Sequence, residues 1–304
     1  MNPMATQHPA LKEFKYTLHR IFKNPTAILG FTLLLFFITV AVMAPYLAPP
    51  KYEHNPYKVP HTGFSSIPQP PSAEHPFGTT SGQYDIYYAA VWGTRTSFKI
   101  GLFVVSIALL IGVTLGTIAG YYGGLVDEAI MRCVDAFYAI PFLVLAMTIV
   151  VAFGRGLDVI MIAIASVAWR NYVRVMRASI LTIRDLDYVN AAKLMGVSDF
   201  RIMIRHILPN SIFPVMVVAS MEIGAYVLIA AFLAFLGLGA PRGYADWGQM
   251  IALARNYIVG PPDDPFLYWY TIAIPGGCIV LFVLAWNLIG DALRDAFDPK
   301  LRRE

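Results

Sequence analysis

Asp187-Tyr-Val-Asn-Ala-Ala-Lys-Leu-Met-Gly-Val-Ser-Asp-Phe-Arg-Ile-Met-Ile-Arg-His-Ile-Leu-Pro209 is a short polar stretch held between long apolar ones. Its pattern predicts two small helices separated by a break. Asp187 is placed to cap the first, its carboxylate accepting amides of the first turn. Tyr188, Ala191, Ala192 and Met195 then share one helical face. Gly196 suits the left-handed conformation that closes such a helix, and Ser198 can cap the next. Phe200, Met203, Ile204, Ile207 and Leu208 follow the spacing of an amphipathic helix, with Arg201 and Arg205 on its polar side. Pro209 ends or kinks it. The small pair Ala191-Ala192 leaves room for a partner to approach the backbone closely.

On either side of this stretch the chain is apolar. Of its 304 residues 57% are hydrophobic and 14% charged, against about 25% charged in an ordinary soluble domain. The long uncharged runs predict an all-α membrane protein with six transmembrane helices. The first covers 26–46. The second, Ile100–Tyr121, carries Gly112, Gly116 and Gly120 on one face, a spacing that permits close helix packing. The third is Cys133–Phe153, with Asp135 near its start and Pro141 inside. The fourth runs from about Leu157 to Leu181 and lines Arg170, Arg174 and Arg177 along one face at the membrane border. That row suits simple anchoring, with lipid phosphate or a partner protein as the alternative. Ile212–Ala240 and Phe266–Gly290 complete the set.

The remaining segments divide the chain into an N-terminal piece 1–25, an outer segment 47–97, a five-helix core 98–290 and a tail 291–304. Tyr84–Arg95 has helical character and lies in the interface. Six spans put both termini on one side. Of the 23 Lys and Arg residues, sixteen fall on the side of the termini and the 187–209 loop and seven on the other, so that side is expected to be cytoplasmic.

Several classes of chemistry find no support. Cys133 and Cys278 lie in apolar runs and read as packing residues. His54, His61 and His75 are widely and irregularly spaced, which predicts solvated loop histidines and no metal centre. No nucleophile with a matching base lies inside the spans, so an intramembrane enzyme is disfavoured. No cofactor and no nucleic-acid partner are expected. The chain has no Gly-Lys dipeptide and hence no Walker loop. Glu222 is the one acid well inside a span. Such a carboxylate faces a water-filled path or bonds to a neighbouring helix, and its sequence context leaves both open.

Ala191-Ala192, Gly196 and Leu208-Pro209 together resemble the EAA loop of membrane subunits of bacterial and archaeal ABC importers, with Asn190 where that family usually has Glu. Further motifs follow in order: Phe22-Lys-Asn-Pro25, His75-Pro-Phe-Gly-Thr79, Gly93-Thr-Arg95-Thr-Ser97, Phe235-Leu-Gly-Leu-Gly239 and Asn287-Leu-Ile-Gly-Asp291. Their order resembles the dipeptide/oligopeptide/nickel permease group, and within it the second of two paired permeases. The resemblance implies a type I importer architecture in the cell (inner) membrane. It implies a heterodimer with a second permease, two ATP-binding subunits, an extracytoplasmic substrate-binding protein, and membrane lipid around this chain. It also implies that 187–209 docks on the ATPase, with Asp187, Asn190, Ala191, Ala192, Gly196, Leu208 and Pro209 as coupling residues. Segments 47–97 and 241–265 are where the binding protein is expected. Peptides are the expected cargo, with nickel or oligosaccharides as alternatives. A proton-coupled secondary transporter is the competing class; it calls for several intramembrane acids or broken repeats.

Overall fold

The computed structural model describes residues 24–52 and 54–297. The expected surface helix within 1–25 and most of the 291–304 tail beyond Phe297 lie outside the described residues. Five helices are long and apolar enough to cross a membrane, and a sixth crossing arises if one bent pair counts as a single span. No extended strand occurs among the described residues, only three isolated bridges in the outer loops.

Helix α1, Pro25–Leu47, starts where the Asn24 side chain accepts the Thr26 amide at 3.1 Å and Pro25 occupies the first turn. It is apolar on every side, as a lipid-facing helix must be. Helix α2, Ile86–Tyr122, joins what the sequence suggested were an interfacial helix and a separate span. The Asp85 carboxylate caps it by accepting the Tyr88 amide at 2.8 Å. Its 37 residues reach roughly 55 Å, nearly twice a hydrocarbon core of about 30 Å. One end of α2 therefore stands clear of the membrane.

The expected third span is broken. α3, Gly124–Tyr138, and α4, Phe142–Phe153, meet at 82°. Pro141 is the cause: it lacks an N–H and disfavours helical geometry in the residue before it. Helix α5, Leu157–Ile183, agrees with the sequence reading. After the 187–209 segment come α9, Phe213–Phe235, and, beyond a loop holding the short α10, Trp247–Leu253, the last helix among the described residues, α11, Tyr270–Phe297. α9 stops five residues before the expected Ala240. α11 starts four residues later than expected and continues seven residues past Gly290.

Small residues set the helix contacts. Gly112, Gly116 and Gly120 of α2 face Tyr172, Met176 and Ile180 of α5, also spaced by four. A methyl group on those glycines would stand 2.3, 2.7 and 2.9 Å from the facing Cβ atoms. Gly101 brings α2 against Ile223 of α9, Gly224 brings α9 against Val283 of α11, and Gly30 brings α1 against Leu288 of α11. In a membrane, where lipid is as apolar as leucine, such close approach supplies much of the attraction between helices.

The projecting end of α2 is wrapped by 48–85 and 236–269. Val59 donates to the Gly243 carbonyl at 2.7 Å and Ala245 to that of Tyr57 at 2.8 Å. The Trp92 and Trp247 indoles donate to the carbonyls of Ala48 and Ala90 at 2.9 and 3.1 Å. These bonds make the outer loops one cap. Among the three loop histidines, His75 departs from the solvated reading: it is largely buried and bonds Asp85 at 2.7 Å. His61 packs beside Phe64 and Tyr84, while His54 is exposed.

Candidate functional site

The end of α5 is pinned before the chain leaves the bundle. Arg184 donates to the Gly120 carbonyl at the end of α2, at 2.9 Å. Leu186 is extended, and helix α6, Asp187–Leu194, begins. The cap position is therefore Leu186, with no side-chain cap. Asp187 sits one residue inside, in the first turn, where a carboxylate favours the positive end of the helix. The expected capping role belongs to a different residue because the chain turns one position earlier.

Asn190 reaches back and donates its amide to the Asp185 carbonyl at 3.0 Å. A glutamate cannot make this bond, because an ionised carboxylate only accepts. Gly196 takes φ +75°, as expected. Its amide bonds the Lys193 carbonyl at 3.0 Å and the Val197 amide bonds that of Ala192 at 3.1 Å. This paired closure is the Schellman motif.

Next come α7, Asp199–Ile202, a π-helical turn Met203–Ile207 and α8, Leu208–Ser211. Ser198 occupies the cap position of α7 without a side-chain cap bond. Pro209 neither ends the helix nor breaks it sharply. The wider π turn precedes it and absorbs the missing donor. Asp199 accepts the Tyr121 hydroxyl at 2.6 Å, so the end of α2 holds this second piece directly. Lys193 lies over the same Tyr121 ring at 5.6 Å.

The two faces of the segment differ from the simple amphipathic reading. Val189, Ala192, Ile202, Met203 and Ile207 are buried against the bundle. Ala191 and Pro209 are exposed and Leu208 is half-buried. Leu194, Met195 and Phe200 are 89%, 76% and 72% exposed, with Tyr188 and Ile204 beside them in sequence and also exposed. An exposed apolar group of this kind marks a surface awaiting a partner.

The arginine row of α5 is committed to the bent helix beside it. Arg177 makes a two-pronged pair with Asp127 at 2.5 Å, and Arg174 pairs with Asp135 at 2.6 Å. Arg170 donates to the Phe137 carbonyl and covers the Tyr138 ring at 4.3 Å. These pairs within the chain add to the arginine row a role that the sequence reading did not include. Asp127 and Asp135 stand two helical turns apart, against arginines spaced by four and three. The paired acids are eight residues apart and their arginines three, so spacing along the two helices does not by itself predict the pairs.

Glu222 lies apart from the loop, near the middle of α9 and half-buried. Asn171 of α5 donates to it at 2.5 Å, and Tyr226, one turn along α9, donates to its other oxygen. The Tyr172 hydroxyl lies beside the same carboxylate. Tyr226 also stacks on Phe142, the first residue of α4 after the break. Among the described residues no group of three or more metal-binding side chains occurs.

A family model described as the binding-protein-dependent transport system inner membrane component matches residues 112–303, and one described as the N-terminal TM domain of oligopeptide transport permease C matches 13–71. The dipeptide transport system permease protein DppC of Alkalihalophilus pseudofirmus is 40% identical, covering 99% of this chain and 94% of its own. The glutathione transport system permease protein GsiD of Pectobacterium atrosepticum is 36% identical, with 93% and 90% covered. Among solved structures, a chain of the MetNI methionine ABC transporter in inward-facing conformations superposes with a TM-score of 0.54 at 16% identity. It covers 69% of this chain and 97% of that one. That likeness concerns the fold alone.

Proposed function

The chain belongs to the family of binding-protein-dependent transport system inner membrane components, multi-pass membrane permeases of ABC importers, and from that premise we propose that it carries di- or oligopeptides inward. It forms half of the path beside a second permease, and two separate ATP-binding subunits supply the energy. An extracytoplasmic binding protein delivers cargo to the cap built from 48–85 and 236–269. Both termini and the 187–209 loop face the cytoplasm, in keeping with the bias of basic residues.

The observation that carries the coupling assignment is the state of α6 and α7. Their inner face is buried, Asp199 ties α7 to α2, and α6 follows directly on the end of α5 that Arg184 fastens to α2, while Leu194, Met195 and Phe200 stand in the open. A cleft on an ATPase would cover that outer face. When two ATPases close, the docked segment moves as a body and turns the helices to which it is tied. Glu222, held between α5 and α9 next to the broken span, is placed to meet a peptide's amino group if the path opens there.

The test is reconstitution of the full transporter with its binding protein. Peptide ligands on the cognate binding protein and peptide-stimulated ATP hydrolysis are expected. A nickel or oligosaccharide ligand would overturn the substrate assignment, and a proton gradient driving uptake without ATP would overturn the class. For coupling, Ala192→Glu puts a charge into a site that is 2% exposed, and Gly196→Leu forces a left-handed residue. Both are expected to leave the subunit inserted and to separate ATP hydrolysis from uptake. Normal uptake in both means the segment is only a connector.

A further inference from the structure

Between α1, α2 and α11, below the cap, lies an open groove of about 580 Å³. Leu34, Ile38 and Val42 of α1 form one wall, a stripe of every fourth residue. Phe98 and Leu102 of α2 form the other. Ile38, Val42 and Leu102 are exposed on the outside of the bundle. Arg95 lines the groove too, one turn before Phe98 on the projecting half of α2.

Arg95 is half-buried. Among the described residues its guanidinium makes no hydrogen bond and no ion pair; its one contact is the Trp92 ring at 5.2 Å. The other basic residues near the membrane on α2 and α5 are satisfied. Lys99 pairs with Asp158 at 2.9 Å, and Arg174 and Arg177 with Asp135 and Asp127. A guanidinium offers five donors in a planar fork that matches a phosphate. Leaving it half-buried and unpaired beside an apolar groove is unfavourable unless an anion completes it.

We propose that this groove holds a glycerophospholipid of the cap-side leaflet, with its phosphate on Arg95 and an acyl chain lying along Leu34, Ile38 and Val42. The depth fits. The uncharged run of α2 begins at Ile100, so Arg95 stands more than one turn above it, at headgroup level, with its stem reaching along the apolar wall. A protein helix seated in the groove would have to bring its own carboxylate to Arg95; a phospholipid brings both chemistries in one molecule. The bound lipid would brace α1 against α2.

The complete transporter, reconstituted in nanodiscs with a phosphatidylglycerol carrying a photoactivatable acyl chain, tests this by mapping of adducts. Adducts are expected to concentrate on Ile38, Phe98 and Leu102, over lipid-exposed Leu110 further along α2. Arg95→Gln should lower the yield in the groove about five-fold, equivalent to about 1 kcal/mol, the usual contribution of one basic residue at a lipid surface. Ala41→Trp, which fills the groove and leaves Arg95 in place, should lower it as well. Millimolar inorganic phosphate should not compete. Three results overturn the proposal: uniform labelling that ignores both variants, competition by free phosphate, or cross-linking of a second permease's helix to the same residues.

Discussion

The Tyr121 hydroxyl donates to Asp199 across 2.6 Å, joining residues 78 positions apart in the chain. One belongs to the last turn of the longest helix, the other to the first turn of α7. Removing the hydroxyl with Tyr121→Phe leaves the ring under Lys193 and breaks only this link. A hydrogen bond to a charged, exposed partner contributes about 1 kcal/mol net. We expect normal insertion, near-normal ATPase activity and a two- to five-fold rise in ATP consumed per substrate imported. Parallel measurement of uptake and phosphate release would show it, and an unchanged ratio would mean that the link carries no motion.

Gly112 separates two kinds of glycine. Gly112→Ala sets a methyl group 2.3 Å from the Tyr172 Cβ and 3.0 Å from the Trp169 carbonyl, both on α5. Neither the facing backbone nor a Cβ can move aside locally, so the helices must separate. Overpacking of this kind costs roughly 1–3 kcal/mol. Gly276→Ala, within α11, meets nothing within 4 Å and should be neutral or slightly favourable for the helix. Thermal unfolding of the two variants in detergent should differ by several degrees.

Asn190 donates where a glutamate could only accept. Asn190→Asp keeps the size and removes the donor to the Asp185 carbonyl. It also adds an acid beside Asp187 and Asp185. The turn into α6 should loosen by roughly 0.5–1.5 kcal/mol, visible as faster amide exchange over 186–192 with the rest of the fold unaffected. Asn190→Gln, which retains an amide, should lie between the two. Equal exchange in all three would show that the side chain does not hold the turn.

Asp246 caps α10 by accepting the amides of Gly248 and Gln249 at 3.3 and 3.2 Å. Its burial raises the carboxyl from 3.8 to about 6, outweighing those two bonds. The folded protein then holds a proton that the unfolded chain releases, so stability falls as pH rises from about 4 to 6 and stays lower at neutral pH. Asp246→Asn keeps a good cap and removes the titration. Its unfolding temperature should vary less between pH 4 and 7 than that of the parent, and it should be at least as stable at pH 7. A variant with the parent's pH profile would assign the dependence to another group.

Glu222 accepts from Asn171 and Tyr226, bonds that a structural acid and a pathway acid would share. Glu222→Gln keeps the shape and one acceptor and removes the charge. If the acid meets a peptide's amino group, uptake of peptides with a free amino terminus should fall about ten-fold while N-acetylated peptides lose little. Unchanged uptake of both would leave the residue a helix-to-helix bond.

The membrane class, the order of the spans and the two-piece loop were legible in the sequence because each rests on local physics. Long uncharged runs must be helical in lipid, since no water is present to satisfy the backbone. Gly196 takes its positive φ because a helix closed this way needs a residue without a Cβ. The glycine spacing in α2 was visible as a stripe, though not the helix it would meet. The misreadings came where one residue's neighbourhood mattered. Asp187 and Leu186 differ by one position at the cap, and only the path of the chain leaving α5 decides between them. His75 looked like any loop histidine until the fold brought Asp85 to it.

Hydropathy, helix punctuation and the absence of a Gly-Lys dipeptide determined, from sequence alone, a multi-pass helical chain without a Walker loop of its own. Tertiary structure decided three further things. It set the 82° break at Pro141 and locked the arginines of α5 onto α3. It also left Leu194, Met195 and Phe200 in the open while burying Val189 and Ala192. Each depends on which surfaces meet across long separations. A residue's chemistry states what partner it needs, but only the packed helices place that partner within 3 Å or withhold it.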